Sequence, residues 1–164
     1  MEDISYLTET RFSDLALDER LLSGLTDAGF DFCTKIQAES LPIALTGQDV
    51  AGQAQTGTGK TAAFLLAIFN HLLKNPKPES ATPTSIRSLV LAPTRELAIQ
   101  IHRDAEVLSK STGLKLGLAY GGTDYQQQRE TLAAGVDVLI GTPGRLIDLY
   151  KQDVFDLKAA QVLV

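Results

Sequence analysis

One segment constrains this chain more than any other, the run Ala54-Gln55-Thr56-Gly57-Thr58-Gly59-Lys60-Thr61. It follows a short apolar stretch at 50–52 and precedes strong helix formers at 62–68. Its glycines let successive backbone N–H groups turn inward as a nest for an anion, and the positive end of the following helix points to the same place. The context predicts a phosphate-binding loop. The alternative, a Gly/Thr-rich turn that only caps a helix, leaves Gly-Lys-Thr at the helix start unexplained.

Lys60 and Thr61 are the candidate catalytic residues of this loop. The Lys60 ammonium can reach the β- and γ-phosphates of a nucleoside triphosphate, and the Thr61 hydroxyl can bind the accompanying Mg²⁺. The usual loop opens with glycine, whereas this chain has Ala54.

Composition limits the remaining possibilities. The chain has 164 residues, enough for one domain with a sizeable core. No apolar run is long enough to cross a bilayer, and the acidic start lacks the features of a signal peptide. The single cysteine, Cys33, fits a reducing cytoplasm and the role of a buried filler. The formal net charge of −5 does not favour nucleic-acid binding by bulk electrostatics, so any such contact needs a local patch.

Strands and helices alternate from residue 50 onward. Short apolar strands without polar alternation predict a parallel sheet covered by helices on both faces, an α/β fold. We expect a flexible segment over residues 1–11 and one domain over 12–164. The predicted strands are 50–54, 88–92, 114–120, 137–140 and 161–164; the predicted helices are 17–28, a short one after Thr34, 60–73, 96–109, 125–133 and 145–151.

Ligands of such sheets bind beyond the carboxyl ends of the strands. The phosphate-binding loop follows the first predicted strand, and each of the next three is followed by a loop with Gly, Pro, Thr or Arg. Together these loops predict one extended phosphate-facing surface. Their residues are Pro93, Thr94 and Arg95, then Gly121 and Gly122, then Thr142, Pro143, Gly144 and Arg145.

These motifs resemble those of the DEAD-box RNA helicases, in the first RecA-like domain. The resemblance runs from Phe12 to the last residue. The segment 29–37 resembles the adenine-reading Q motif, with Phe12 as its upstream aromatic, and 54–61 resembles motif I, in which Ala54 is the family's own choice. The segments 93–98, 121–122 and 142–145 resemble motifs Ia, GG and Ib. Cys33 and Lys35 replace prolines common elsewhere in the Q motif.

The resemblance implies an ATP site with Mg²⁺ held through Thr61. Its residues would be Phe12, Phe30, Thr34, Gln37 and the loop Ala54, Gln55, Thr56, Gly57, Thr58, Gly59, Lys60 and Thr61. Gln37 offers a donor and an acceptor that fit the adenine edge, and Phe30 can stack on the adenine face. The alternatives are that Gln37 only caps a helix through Thr34 and that Phe30 only packs in the core; for Phe12, packing and a site role are evenly balanced.

The resemblance also implies RNA binding through phosphate and sugar, independent of sequence. Arg95 and Arg145 would supply guanidinium donors, and Thr94 and Thr142 would supply hydroxyls. At Gly121 and Gly122 the backbone could come close to the RNA strand. The alternative for each arginine is a surface salt bridge.

A working helicase of this family also needs an Asp-Glu-Ala-Asp box and a second RecA-like domain with an arginine finger, and we expect them beyond Val164. We therefore expect a truncated domain that binds adenine nucleotide weakly and hydrolyses it negligibly. Unpaired strand edges would favour self-association or completion by another chain.

Two other functions stay open: a non-catalytic module that binds nucleotide or RNA, and a phosphate-loop ATPase acting on protein or DNA. The segments 50–54 and 113–122 most resemble the bacterial RhlB-type branch of the family. That branch implies an RNA-decay assembly around an endoribonuclease scaffold.

Overall fold

The computed structural model describes residues 6–164, and within them the chain divides into two compact units. The first consists of residues 6–74 and 107–112, and the second of residues 75–106 and 113–164. No helix of the described residues is long and apolar enough to cross a membrane.

The first unit is mainly helical. Strand β1 (Leu7–Arg11) pairs antiparallel with β2 (Phe32–Thr34). A short 3-10 turn (Phe12–Asp14) follows β1. The α-helices are α1 (Glu19–Asp27), α2 (Lys35–Ala44) and α3 (Lys60–Lys74). Helix α2 ends two residues after Pro42, in agreement with the short helix expected there.

Helix α3 carries the core of this unit. The side chains at 65, 66, 68, 69 and 72 are almost fully buried and share one broad face of the helix, and α3 contacts both α1 and α2. Helix α1 packs against α3 and is capped by Asp18, whose carboxylate accepts a hydrogen bond from the Arg20 backbone N–H. The backbone N–H of Asp18 donates to Oδ1 of Asn70 at 2.8 Å, which ties the start of α1 to α3.

Two expectations for this unit are wrong. Residues 7–11 form a strand, where we predicted a loosely held segment over 1–11; residues 1–5 of that prediction lie outside the described residues. Thr8 also donates its hydroxyl to the carbonyl of Cys33, at 2.9 Å. The predicted strand at 50–54 is irregular coil. A strand forms only beside a partner, and no described residue pairs with this segment.

The second unit is a parallel sheet of four strands flanked by helices. Its strands are β3 (Ser88–Leu91), β4 (Leu116–Ala119), β5 (Val138–Gly141) and β6 (Val162–Leu163), in the spatial order β4-β5-β3-β6. All four residues of β5 are buried, as expected for a central parallel strand. The helices are α4 (Arg95–Ser109), whose last residues belong to the first unit, α5 (Tyr125–Ala133) and α6 (Pro143–Lys151).

The α/β architecture predicted from the sequence is confirmed. Each of these strands and helices lies within two residues of its predicted ends. The register is continuous: Ser88 lies beside Val138, and Leu116 lies beside Val138 on its other edge. Since β3, β4 and β5 are parallel and in register, the loops that follow them leave the sheet at one common edge.

Candidate functional site

The phosphate-binding loop lies in the first unit, directly before α3. Gly57 and Gly59 both have positive φ, 80° and 86°, which is the backbone conformation that an inward-facing nest of N–H groups requires. These two glycines are thus compatible with the predicted nest, although the strand predicted to precede the loop is absent from the described residues.

Lys60 is folded back onto its own loop. Its ammonium group donates to the backbone carbonyls of Ala54 and of Gln55, the second at 2.8 Å. The Thr58 hydroxyl donates to the same carbonyl of Gln55, at 2.7 Å. These bonds hold the loop closed around the lysine, so its ammonium group would have to leave these carbonyls before it could contact an anion.

Gln37 joins the start of α2 to the phosphate-binding loop. Its Oε1 accepts from the backbone N–H of Thr34 at 2.9 Å, and its Nε2 donates to the Gly59 carbonyl at 3.1 Å. The side chain is only 5% exposed. A Cβ placed on Gly59 would lie 2.4 Å from Nε2 of Gln37, so a residue without a side chain is needed at this point.

The two candidate aromatic residues lie in different environments. Phe30 is 52% exposed, whereas Phe12 is 4% exposed and packs in the core. The core-packing alternative thus describes Phe12 and not Phe30. Beside the loop, a cleft of about 380 Å³ is lined by residues of the Q-motif segment and of the loop, namely Thr34, Lys35, Ile36, Glu39, Gln53, Ala54 and Thr58, together with Tyr6.

Cys33 is the central residue of β2, within the Q-motif segment, and is fully buried. Burial raises the pKa of its thiol to about 11, with a smaller contribution from the Asp14 carboxylate. The thiol therefore stays protonated at neutral pH and is chemically inert, as expected for a filler.

The other three candidate loops meet at one edge of the sheet in the second unit. Residues 93–95 follow β3, 121–122 follow β4 and 142–145 follow β5. These connecting segments include the first residues of two helices, which begin slightly earlier than predicted: Arg95 begins α4, and residues 143–145 form the first turn of α6. With the strand order β4-β5-β3, the loop at 142–145 lies between the other two. The predicted common edge therefore exists for these three loops.

Two of these loops are in direct contact through Arg95. Gly122 has a φ of 83°, and a Cβ placed on it would lie 2.7 Å from a terminal nitrogen of the Arg95 guanidinium. The guanidinium of Arg95 thus lies close to the turn at 120–123, which contains Gly121 and Gly122 and is called the glycine turn below. Thr94 caps the helix that begins with Arg95, because its hydroxyl accepts from the backbone N–H of Leu97 at 3.2 Å.

Arg145 is held by two residues that the sequence analysis missed, Gln128 and Tyr125. Its NH1 group donates to Oε1 of Gln128 at 2.9 Å, and its guanidinium lies 5.0 Å from the centre of the Tyr125 ring. Tyr125, Gln128 and Leu132 recur at helical spacing, so a glutamine on the buried face of α5 was the available signal. Within residues 6–164, neither Arg95 nor Arg145 forms a salt bridge, so the alternative considered for them is not found.

A glycine-rich phosphate loop that opens a helix, together with a parallel sheet that presents polar loops at one edge, defines an α/β nucleotide-binding domain of the phosphate-loop class. A model of the DEAD/DEAH box helicase family matches residues 34–164. The chain therefore belongs to the DEAD/DEAH box helicase family.

Curated relatives are similar over nearly the whole chain. The ATP-dependent RNA helicase RhlB of Aliivibrio salmonicida is 59% identical over 160 residues, which are 98% of this chain and 37% of the relative. The proteins of that name from Psychromonas ingrahamii and Vibrio vulnificus are each 58% identical over 160 residues, covering 98% of this chain and 38% and 37% of the relatives. The chain thus spans a little over a third of the length of these relatives.

Proposed function

We propose that this chain provides the ATP-binding part and a share of the RNA-binding surface of an ATP-dependent RNA helicase. The whole protein would couple ATP hydrolysis to local separation of RNA duplexes. Family membership and the names of the relatives support this activity. Because the chain resembles the RhlB-type branch, we also propose that the whole protein acts in the cytoplasm, as part of an RNA-decay assembly around an endoribonuclease scaffold.

The nucleotide would bind in the first unit. Phe30 is the better candidate for stacking on adenine because half of its surface is exposed, and Phe12 supports the site from the core. Gln37 retains one N–H and one lone pair beyond the two bonds it makes, enough for one donor and one acceptor contact with adenine. It would therefore serve both as helix cap and as adenine reader.

The phosphates would lie over the nest at 57–59, where the backbone shape fits an anion. Lys60 would bind the β- and γ-phosphates after leaving the carbonyls of its own loop. Thr61, in the first turn of α3, would bind Mg²⁺, which supplies charge neutralisation on the phosphates when it is present.

RNA would bind along the sheet edge of the second unit, and this edge is the observation that carries the proposal. Thr94, Arg95, Gly122, Thr142 and Arg145 all belong to loops that leave this edge, and guanidinium groups, hydroxyls and open backbone are phosphate and sugar ligands. Pro93, Gly121, Pro143 and Gly144 complete the loops. Such contacts carry no base information, so binding would be independent of sequence.

The test is a calorimetric titration of the protein with ADP and with GDP, repeated on Gln37→Ala. We expect ADP to bind more tightly than GDP, and the substitution to weaken ADP binding about tenfold, since a buried side chain with two bonds is lost. Gln48→Ala is the matched control, because Gln48 is exposed and its side chain bonds to Thr46 in its own turn. Equal binding of both nucleotides, or an unchanged Gln37→Ala, would contradict an adenine-reading site.

A further inference from the structure

Gln128 lies between the glycine turn and Arg145 and bonds to both. Its Nε2 donates to the Tyr120 carbonyl at 3.1 Å and to the Thr123 hydroxyl at 2.6 Å, and its Oε1 accepts from NH1 of Arg145 at 2.9 Å. The side chain is 9% exposed. Both amide hydrogens and one carbonyl lone pair are therefore used within this unit, on residues that flank two of the three loops.

The chemistry of the neighbours allows only one orientation of this amide. The Tyr120 carbonyl can only accept, so it must face the NH₂ group. The guanidinium of Arg145 can only donate, so it must face the amide oxygen. A flipped amide would place its oxygen against the Tyr120 carbonyl oxygen and its NH₂ group against the Arg145 guanidinium. Glutamine is thus suited to this position in a way that glutamate, which lacks the donors, is not.

The second contact of Arg145 restricts it further. The Tyr125 ring lies under the guanidinium, and Tyr125 itself packs against the core of the second unit. Arg145 is half-buried, so its stem is fixed as well. A charged group held from one side by a ring and from another by an amide oxygen loses little rotamer freedom when it binds a phosphate. Ordering a free side chain would cost on the order of 1 kcal/mol, about fivefold in affinity.

We propose that Gln128 is a positioning residue for RNA binding: it fixes the Arg145 guanidinium relative to the glycine turn so that the two contact the same RNA backbone. This inference rests on the proposed function, because it assigns RNA to the sheet edge. Gln128 itself does not touch the RNA. It acts on RNA binding through Arg145, and its bonds to the Tyr120 carbonyl and the Thr123 hydroxyl are the support that holds its amide in place.

The test measures binding of a short fluorescein-labelled oligouridylate by fluorescence polarisation at several salt concentrations. The variants are Gln128→Met, which keeps length and lacks polar atoms, Arg145→Ala, and the double variant. Gln127→Met is the matched control, since the neighbouring Gln127 is exposed on the same helix. Thermal unfolding of each variant and ADP titration report whether the fold is retained.

We expect Gln128→Met to weaken RNA binding about fivefold with an unchanged salt slope, since the charge of Arg145 stays. Arg145→Ala should weaken binding and lower the salt slope by about one, because one phosphate contact is lost. The double variant should bind no more weakly than Arg145→Ala alone. This non-additivity separates a positioning role from a merely structural one. If Gln128 only stabilised the fold, its loss of RNA affinity would add to the loss caused by Arg145→Ala.

A second variant keeps the inference testable if Gln128→Met does not fold. Gln128→Glu retains an acceptor for Arg145 but pairs it with a negative charge, so RNA binding should weaken and the salt slope should fall by about one. Additive losses in the double variant, or Gln128→Met binding as tightly as the unsubstituted chain, would overturn the positioning role alone. An unsubstituted chain that is folded, binds ADP and does not bind RNA would overturn the proposed RNA surface and this inference with it.

Discussion

The two candidate binding regions are built on different supports. In the second unit, the loops at 93–95, 121–122 and 142–145 leave strands that are paired on a parallel sheet, and the central strand β5 is wholly buried. In the first unit, the phosphate-binding loop follows irregular, mostly exposed backbone at 50–53. Its tethers are side chains: Gln37 bonds to Gly59, and Lys60 bonds to the carbonyls of the loop.

The difference indicates that one region is preorganised and the other has to rearrange. A loop held by ladder hydrogen bonds keeps its shape when a ligand binds. Under the proposed function, a loop held by a few side-chain bonds would lose some of them when Lys60 turns to a phosphate, and that loss would lower the nucleotide affinity. The following predictions test this comparison.

The largest effect is expected from Gly59→Ala. The added Cβ would overlap Nε2 of Gln37, and alanine would be strained at the positive φ, so the hydrogen bond between Gln37 and Gly59 is disrupted. We expect ADP affinity to fall about 100-fold, measured by calorimetry, with RNA binding unchanged.

Gly57→Ala is its control, since Gly57 has a similar φ but nothing within 4 Å of a Cβ. Backbone strain alone should weaken ADP binding about fivefold to tenfold. If both variants lose affinity equally, the bond between Gln37 and Gly59 is not what holds the loop, and the comparison fails for this region.

A smaller effect is expected from Gly122→Ala in the second unit. The added Cβ would lie 2.7 Å from a flexible guanidinium, and alanine is also strained at the φ of 83° found there. We therefore expect Arg95 to move aside while the paired strands below the turn stay unchanged. RNA binding should weaken about tenfold, measured by fluorescence polarisation, with ADP affinity unchanged.

Gly113→Ala is the matched substitution, because Gly113 also has a positive φ, 74°, but nothing lies within 4 Å of a Cβ there, and it precedes β4 instead of following it. It should bind RNA nearly as tightly as the unsubstituted chain. A Gly122→Ala protein that also loses ADP affinity would show that the two regions do not respond separately.

The smallest effect is a pH dependence in the first unit. The hydrogen bond from the Arg20 side chain is the largest cause that lowers the pKa of Asp18, from 3.8 to about 2. Because the carboxylate is favoured in the folded state, its stabilisation is fully present above pH 3.8 and is lost as the pH falls through about 2. Urea unfolding should show a difference between the unsubstituted chain and Arg20→Ala at pH 5 that is largely lost near pH 2. A difference that stays constant over this range would exclude the ion pair as its cause.

The sequence predicted the second unit better than the first. Buried parallel strands have a strong apolar signal, and the glycine, proline and arginine loops mark where they end. For the first unit, periodicity identified α1 and α3, but β1 was missed because its alternating, mostly polar residues resemble an exposed segment. The strand predicted at 50–54 fails for a different reason: local composition cannot tell whether a partner lies alongside.

Side-chain partnerships were the least predictable part of the candidate sites. That Gln37 caps α2 could be predicted from its spacing to Thr34, but its bond to Gly59 joins residues 22 positions apart. Gln128 was missed for the same reason, since its bond to Arg145 spans 17 positions. Local patterns report on helix faces and turns, and only the folded backbone reveals which polar atoms meet across elements.

The strand order of the sheet also sets a length scale. Neighbouring strands lie about 4.8 Å apart, so the ends of β4, β5 and β3 span roughly 10 Å. Stacked nucleotides advance about 3.4 Å each along one strand, so three loops on three adjacent strands match about three nucleotides. The width of the sheet edge therefore limits how many nucleotides can contact it at once. Under the proposed function, lengthening an oligonucleotide beyond a few nucleotides adds alternative binding registers at this edge. It does not add contacts between the edge and the RNA.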